Sequence, residues 1–209
     1  NGVLILGLTG SIGMGKSTAA ADFRRLGVPV HDSDACVHAL MAKGGAAVDA
    51  VAQAFPGVVS GGSVDRQKLG AAVFGDADEL RRLEAIIHPL VGARKHAFLA
   101  VMARRRVPVV VLDVPLLFET GGEARCDAVV TVTAAAFVQA QRVLQRPAMT
   151  SEKFQHILAQ QMPDWEKCQR SDFIVQTGLG RLVSLKRIRN IIKIVQSWQG
   201  THWPSRPRR

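Results

Sequence analysis

The chain has 209 residues, 47% hydrophobic and 21% charged, a balance that excludes a disordered protein and suits one α/β domain with an inserted or appended subdomain. Its 27 lysines and arginines outweigh 17 acids to give a formal charge of +10, and Phe173–Arg209 alone holds eight of these cations and no acid. Such a balance suits nucleic acid, anionic lipid or a highly phosphorylated small molecule, and charge alone does not choose among them. No apolar run approaches the roughly 18–20 residues that span a bilayer, so no membrane partner is expected. Cys36, Cys126 and Cys168 are odd in number and lack metal-ligand spacing, as expected of ordinary thiols in a reducing, cytoplasmic compartment. No basic segment precedes Val3, so no signal peptide is expected, and the opening on Asn1 leaves what precedes it open.

In chain order, Val3-Leu4-Ile5-Leu6-Gly7-Leu8 reads as an apolar strand leading into Gly10-Ser11-Ile12-Gly13-Met14-Gly15-Lys16-Ser17-Thr18. Gly10, Gly15, Lys16 and Ser17 fill the pattern G-x-x-x-x-G-K-[ST]. Thr18 to Leu26 follows as a helix that stops at Gly27. Strand, glycine loop and helix together form the arrangement that phosphate binding needs, with loop amides and a helix N-terminus offering partial positive charge. Lys16 is expected to reach the β/γ-phosphates of a nucleotide and the Ser17 hydroxyl to ligate Mg²⁺.

Val28 to His31 reads as a second strand, followed by Asp32-Ser33-Asp34. A carboxylate pair at a strand's C-terminal end sits where open α/β sheets bind ligands, beside the phosphate loop if the first two strands are neighbours. Either aspartate can also cap the helix expected from Ala35 to Met41; a second acid two residues away leaves one for other work. Residues 42–106 break the strand–helix rhythm and read as a mainly helical insertion. A helix from Ala46 to Phe55 ends at Pro56-Gly57, and Gly61-Gly62 marks a loop. A helix from Ala77 to Ile87 is expected to stop at His88-Pro89, with a second one from Leu90 to Arg105. His88 is either a ligand contact or a polar residue at a bend.

Val107 to Asp113 is a nearly continuous apolar strand, as in a parallel sheet covered on both faces, and it ends in an acid that often serves Mg²⁺ in P-loop enzymes. Pro115-Leu116-Leu117-Phe118-Glu119 follows, then a strand from Asp127 to Thr133. A helix from Ala134 to Gln145 carries Gln141 and Arg142, with Arg146 just before Pro147, and a second helix runs from Ser151 to Gln161 behind a Thr150 cap. Phe173 to Val175 is the last strand, and Leu182 to Trp198 an amphipathic basic helix. Five strands alternating with helices predict a three-layer α/β fold on a parallel sheet, with the strand order left open.

The glycine loop, Asp32-Ser33-Asp34, His88-Pro89, Pro115-Leu116-Leu117-Phe118-Glu119, Gln141-Arg142 with Arg146, Gln160-Gln161-Met162-Pro163 with Lys167, and Ser171-Asp172-Phe173-Ile174-Val175 together resemble dephospho-coenzyme A kinases. The resemblance runs from about residue 4 to residue 195 and implies a single P-loop kinase domain over 1–209. It implies a core at about 1–41, 107–137 and 171–198, a helical substrate subdomain at 42–106 and a lid at 138–165, with a basic tail at 199–209. It also implies transfer of the ATP γ-phosphoryl group to the ribose 3′-hydroxyl of dephospho-coenzyme A, the last step of coenzyme A synthesis, with Mg²⁺. By the same match, Asp34 takes or orients the hydroxyl proton. Lys16, Arg142 and Arg146 hold phosphates, and Asp32, His88, Pro89, Leu116, Leu117 and Glu119 contact the substrate. Asp113 is a second candidate for Mg²⁺ by its place at the end of an apolar strand and not by the resemblance, since family members need not carry an acid there. Ser11 stands where many members have glycine, and Thr177-Gly178 replaces an asparagine-rich turn, so no adenine contact is assigned there.

Two other readings use the same loop. A kinase for another small acceptor, a nucleoside or sugar acid, differs only in the acceptor. A nucleotide switch needs N-K-x-D and a D-x-x-G after the strand, and neither is present. The basic charge suits phosphate-rich substrates equally well, so no nucleic-acid partner is expected. A monomer is expected, with a small oligomer as the alternative.

Overall fold

The computed structural model of the chain describes residues 2–203; the Pro/Arg stretch 204–209 of the expected basic tail lies outside the described residues. In chain order, β1 (Leu4–Thr9), α1 (Lys16–Arg25) and β2 (Val30–Asp32) are followed by the helices α2 (Ser33–Met41) and α3 (Val48–Ala54). The short strands β3 (Val59–Ser60) and β4 (Ser63–Val64) precede α4 (Arg66–Val73) and α5 (Ala77–Arg104). Then come β5 (Val109–Asp113), a 3₁₀ turn at Gly122–Arg125, β6 (Ala128–Thr133) and α6 (Ala136–Leu144). The described chain closes with α7 (Ser151–Ala159), α8 (Asp164–Arg170), β7 (Phe173–Gln176) and α9 (Arg181–Val195). Two compact units result: residues up to His31 with those from Met102 onward, and Asp32–Val101.

The first unit is built on a mostly parallel sheet in the order β2-β5-β1-β6-β7. β5, not β2, is the neighbour of β1, while Val111 N donates to Pro29 O on the way into β2. Hydrophobicity accounts for this order. Val-Val-Val-Leu-Asp of β5 is buried throughout and takes an inner place, whereas the three half-buried residues of β2 suit an edge. Along β1, Leu4, Leu6 and Leu8 point to one face, where they pack with Phe23 of α1 and Ile188 and Ile191 of α9. Each such leucine contributes about 1.5–3 kcal/mol by leaving water. Gly7 faces the other way: a Cβ there would lie 2.7 Å from Leu117 Cδ2 and 2.9 Å from Cys126 Sγ.

The second unit has its own core of Leu40, Met41, Val48, Val51, Phe55, Val58, Val64, Leu69 and Ile87. Its limits differ from the expected 42 and 106, because Leu40 and Met41 of α2 pack with Val48 and Val51 of α3. Gly61-Gly62 turns out to be the tip of a β3–β4 hairpin. The expected break at His88-Pro89 is absent, and α5 runs unbroken for 28 residues with Pro89 inside. An internal proline costs about 3 kcal/mol. Here Leu83, Ile86 and Ile87 before it and Leu90 and Val91 after it all pack on the same core, which holds both halves in line. Among the described residues no helix is long and apolar enough to cross a membrane.

Candidate active site

The parallel register sets Leu8 opposite Asp113 and Thr9 opposite Thr131, so β1, β5 and β6 end at one edge. Ligands of open α/β sheets bind at this edge. From it the chain turns through Gly10–Gly15 into α1. Gly13 and Gly15 have φ of 77° and 90°, the left-handed region that favours glycine. Space reinforces the choice, since a Cβ on Gly13 would sit 2.5 Å from Val143 Cγ2 and one on Gly15 2.9 Å from Thr177 Oγ1. α1 starts with no side-chain cap and no acid in its first turn, which leaves its terminal amides for an anion.

Lys16 Nζ lies 2.5 Å from Asp113 Oδ1, in an ion pair whose side chains are 16% and 3% exposed. The lysine is thus drawn down to the end of β5 at the base of the loop. Ser17 and Thr18 are exposed on the first turn of α1, and Met14 is buried. Ser11 is buried as well, and its hydroxyl makes no hydrogen bond among the described residues.

Three side chains distant in sequence hold the loop's outer side. Gln161 Oε1 accepts from Ile12 N at 3.0 Å, and Gln139 Nε2 donates to Ile12 O at 2.8 Å. Thr177, just past β7, donates its hydroxyl to Met14 O at 2.6 Å. Arg142 then grips Thr177 at two points, Nη1 to Oγ1 and Nη2 to O, both at 2.9 Å, and Nη1 reaches Gly13 O at 3.4 Å. The guanidinium therefore lies against the loop carbonyls, while Arg146 is exposed just beyond α6. Gln139 and Thr177 were missed as site residues by sequence reasoning, and Gln161 was seen only as part of a resemblance. The signal available for Thr177 was its place directly after the last strand.

Glu119 turns away from solvent. Its Oε1 accepts from Met162 N at 2.9 Å and pairs with Lys167 Nζ at 2.9 Å, and the lysine is fully buried. Burial alone would raise the Glu119 pKa, but the Lys167 ammonium and the backbone amides outweigh it and hold the carboxyl below its usual range. Leu116 is exposed, whereas Leu117 is 2% exposed beneath Gly7 and offers no surface to a ligand in this structure.

In the second unit, Asp32 caps α2: its Oδ1 accepts from Ala35 N at 2.9 Å. Asp34 is exposed in the first turn and is not the cap, which separates the two readings left open for this pair. His88 and Pro89 are both exposed on α5. The cysteines are free, and burial pushes the Cys36 and Cys168 thiols up, away from nucleophilic thiolates.

The family model described as dephospho-CoA kinase matches residues 4–180. The chain belongs to the dephospho-CoA kinase family. A curated dephospho-CoA kinase of Paramagnetospirillum magneticum is 66% identical over 163 residues, 78% of this chain and 77% of its own. That of Mesorhizobium japonicum is 55% identical over 199 residues, covering 95% of this chain and all of its own. A solved structure from Thermus thermophilus superposes with a TM-score of 0.80 at 34% identity, over 93% of this chain and 98% of that one. The dephospho-CoA kinase from Campylobacter jejuni, at 20% identity and a TM-score of 0.62 over 91% of this chain and 96% of its own, shares the fold. The family catalyses the final step of coenzyme A biosynthesis, the reaction classed as EC 2.7.1.24, with ATP and a divalent metal.

Proposed function

We propose that this chain transfers the γ-phosphoryl group of ATP to the ribose 3′-hydroxyl of dephospho-coenzyme A, with the phosphate loop binding the nucleotide and Asp34 of α2 serving the acceptor hydroxyl. The single observation that carries this reading is the loop itself: an uncapped α1 whose first residue, Lys16, is held by Asp113 beneath two left-handed glycines. Phosphoryl transfer asks for positioning and charge neutralisation more than covalent chemistry. The loop amides supply fixed dipoles, and Lys16 supplies a movable cation that leaves Asp113 for a β/γ-phosphate oxygen. Arg142 and Arg146, on the stretch 138–165 that we read as the lid, supply guanidinium groups to the charge that develops in transfer.

Asp34 accepts or orients the 3′-hydroxyl proton, and its exposed carboxylate, free of the capping duty that Asp32 performs, supports that role. Among the described residues no group of three or more His, Cys, Asp or Glu could hold a metal ion by itself. A hard cation that takes one or two protein ligands and fills the rest with phosphate and water fits this donor set, with Ser17 and Asp113 as ligands. When bound, Mg²⁺ neutralises phosphate charge. His88, Pro89, Leu116 and Glu119 are assigned to the acceptor by the resemblance; for Glu119 the pairing with Lys167 supports an indirect part. A soluble monomer in the cytoplasm completes the reading.

The test is ADP release measured with and without dephospho-coenzyme A, beside a panel of nucleosides and sugar acids. Release that depends on dephospho-coenzyme A supports the reading. Equal or faster release with another acceptor would move the chain to a different substrate.

A further inference from the structure

Both main-chain groups of Ile12 are held by glutamines from opposite ends of the stretch 138–165. Gln139, in the first turn of α6, donates to Ile12 O, and Gln161, just beyond α7, accepts from Ile12 N. We propose that Gln139 and Gln161 are positioning residues that fix the Ile12 backbone and thereby aim the loop amides for phosphoryl transfer, a role that rests on the loop binding ATP phosphates.

The neighbouring carbonyls of the loop are held by other side chains, Gly13 O by Arg142 and Met14 O by Thr177, so the glutamines act on Ile12 in particular. The loop's internal support is one turn bond, Met14 N to Ser11 O at 3.1 Å, with Ala134 N on Met14 Sδ at 3.2 Å. A trans peptide points its C=O and the next N–H in opposite directions. Fixing Ile12 O on Gln139 therefore turns Gly13 N–H away from α6, and Gly13 has no side chain to resist rotation. A Cβ at Gly13 would lie 3.1 Å from Gln139 O, so α6 rests on the loop at this point. Gln139 is itself 6% exposed, so its amide is not a surface group that happens to reach the loop. Gln161 is held from behind, because its neighbour Met162 donates to Glu119 and Glu119 is paired with buried Lys167. A neutral amide is the side chain that can donate or accept here without adding charge beside a triphosphate.

The two hydrogen bonds run in opposite directions, and that gives a test a structural role would not pass. Gln161→Glu keeps the acceptor for Ile12 N–H, whereas Gln139→Glu loses the donor to Ile12 O, and each adds the same negative charge at the same loop residue. We expect Gln161→Glu to retain kcat at least about 5-fold better than Gln139→Glu. Gln139→Met and Gln161→Met should each lower kcat by about 10-fold or more, with KM for dephospho-coenzyme A unchanged and melting within a few degrees. The double Met variant should lose less than the product of the two factors, because both act on one residue. Equal glutamate variants, wild-type kcat in both Met variants, or loss of kcat only together with loss of melting would overturn the proposal. Lys16→Ala run alongside separates the two levels. If it too keeps wild-type turnover, the loop does not bind ATP in the way described; if it alone is inactive, only the glutamine role fails.

Discussion

Replacing Lys167 with methionine removes a fully buried ammonium and leaves Glu119 with backbone donors only, Met162 N on Oε1 among them, and a buried Oε2 that makes no hydrogen bond among the described residues. Removing one member of a buried ion pair costs about 3–5 kcal/mol, because the remaining charge is uncompensated. At about 2–4 °C per kcal/mol for a chain of this size, Lys167→Met should melt about 6–20 °C lower at neutral pH. The pH dependence has a definite sign. The Glu119 pKa is depressed in the folded protein, so its pairing stabilises above the ordinary glutamate pKa of about 4.3 and is lost as pH falls through the lower folded value. In Lys167→Met the ammonium's hydrogen bond and charge are lost while burial and the backbone hydrogen bonds remain, so the Glu119 pKa rises relative to the wild type and the gap between the two proteins should narrow as pH falls below about 5. Glu119→Gln combined with Lys167→Met removes the orphaned charge and should recover much of the loss. Thermal melts of the three proteins across pH 4–8 decide it. A Lys167→Met protein that melts with the wild type at pH 7, or a double variant no better than the single, would refute the reasoning.

Three further outcomes follow from the site. Lys16→Ala should lower kcat by about 10²-fold or more, and it should also lower the melting temperature because buried Asp113 loses its ion pair with Lys16; near-normal turnover would contradict the phosphate role. Arg142→Lys keeps the charge but cannot span Thr177 Oγ1 and Thr177 O together. We expect kcat to fall more than KM for ATP rises, and unchanged kinetics would make the arginine a loop brace only. Asp34→Asn should leave melting within about 1 kcal/mol and lower kcat by about 10²-fold, whereas Asp32→Ala should cost about 0.5–2 kcal/mol as a lost helix cap. Melting curves beside steady-state titrations separate the two, and full activity in Asp34→Asn would remove it from the chemistry.

What the sequence made legible was local. The glycine loop could be read because four fixed positions follow an apolar strand, and the inner strands because Val109–Leu112 is apolar without interruption and Ala128–Val132 is broken only by Thr131. Pro89 misled because its local penalty is real but smaller than the packing of Leu83, Ile87 and Leu90 on one core. Strand order was hidden, since nothing in Val30-His31-Asp32 states that β5 will come between it and β1. The supports of the loop were hidden for the same reason. Gln161, Gln139 and Thr177 act across 149, 127 and 163 residues of chain, distances over which periodicity and propensity carry no information. Glu119 was found by its motif, and only the fold shows that it faces Lys167 rather than open solvent.

The most direct measurement of the central claim is the position of the new phosphate. Phosphorus NMR of the product formed from ATP and dephospho-coenzyme A should show one monoester on the ribose 3′-oxygen, with one ADP released per product, and coenzyme A itself should support no ADP release. A phosphate at any other oxygen, or steady ADP release with coenzyme A as acceptor, would contradict the account.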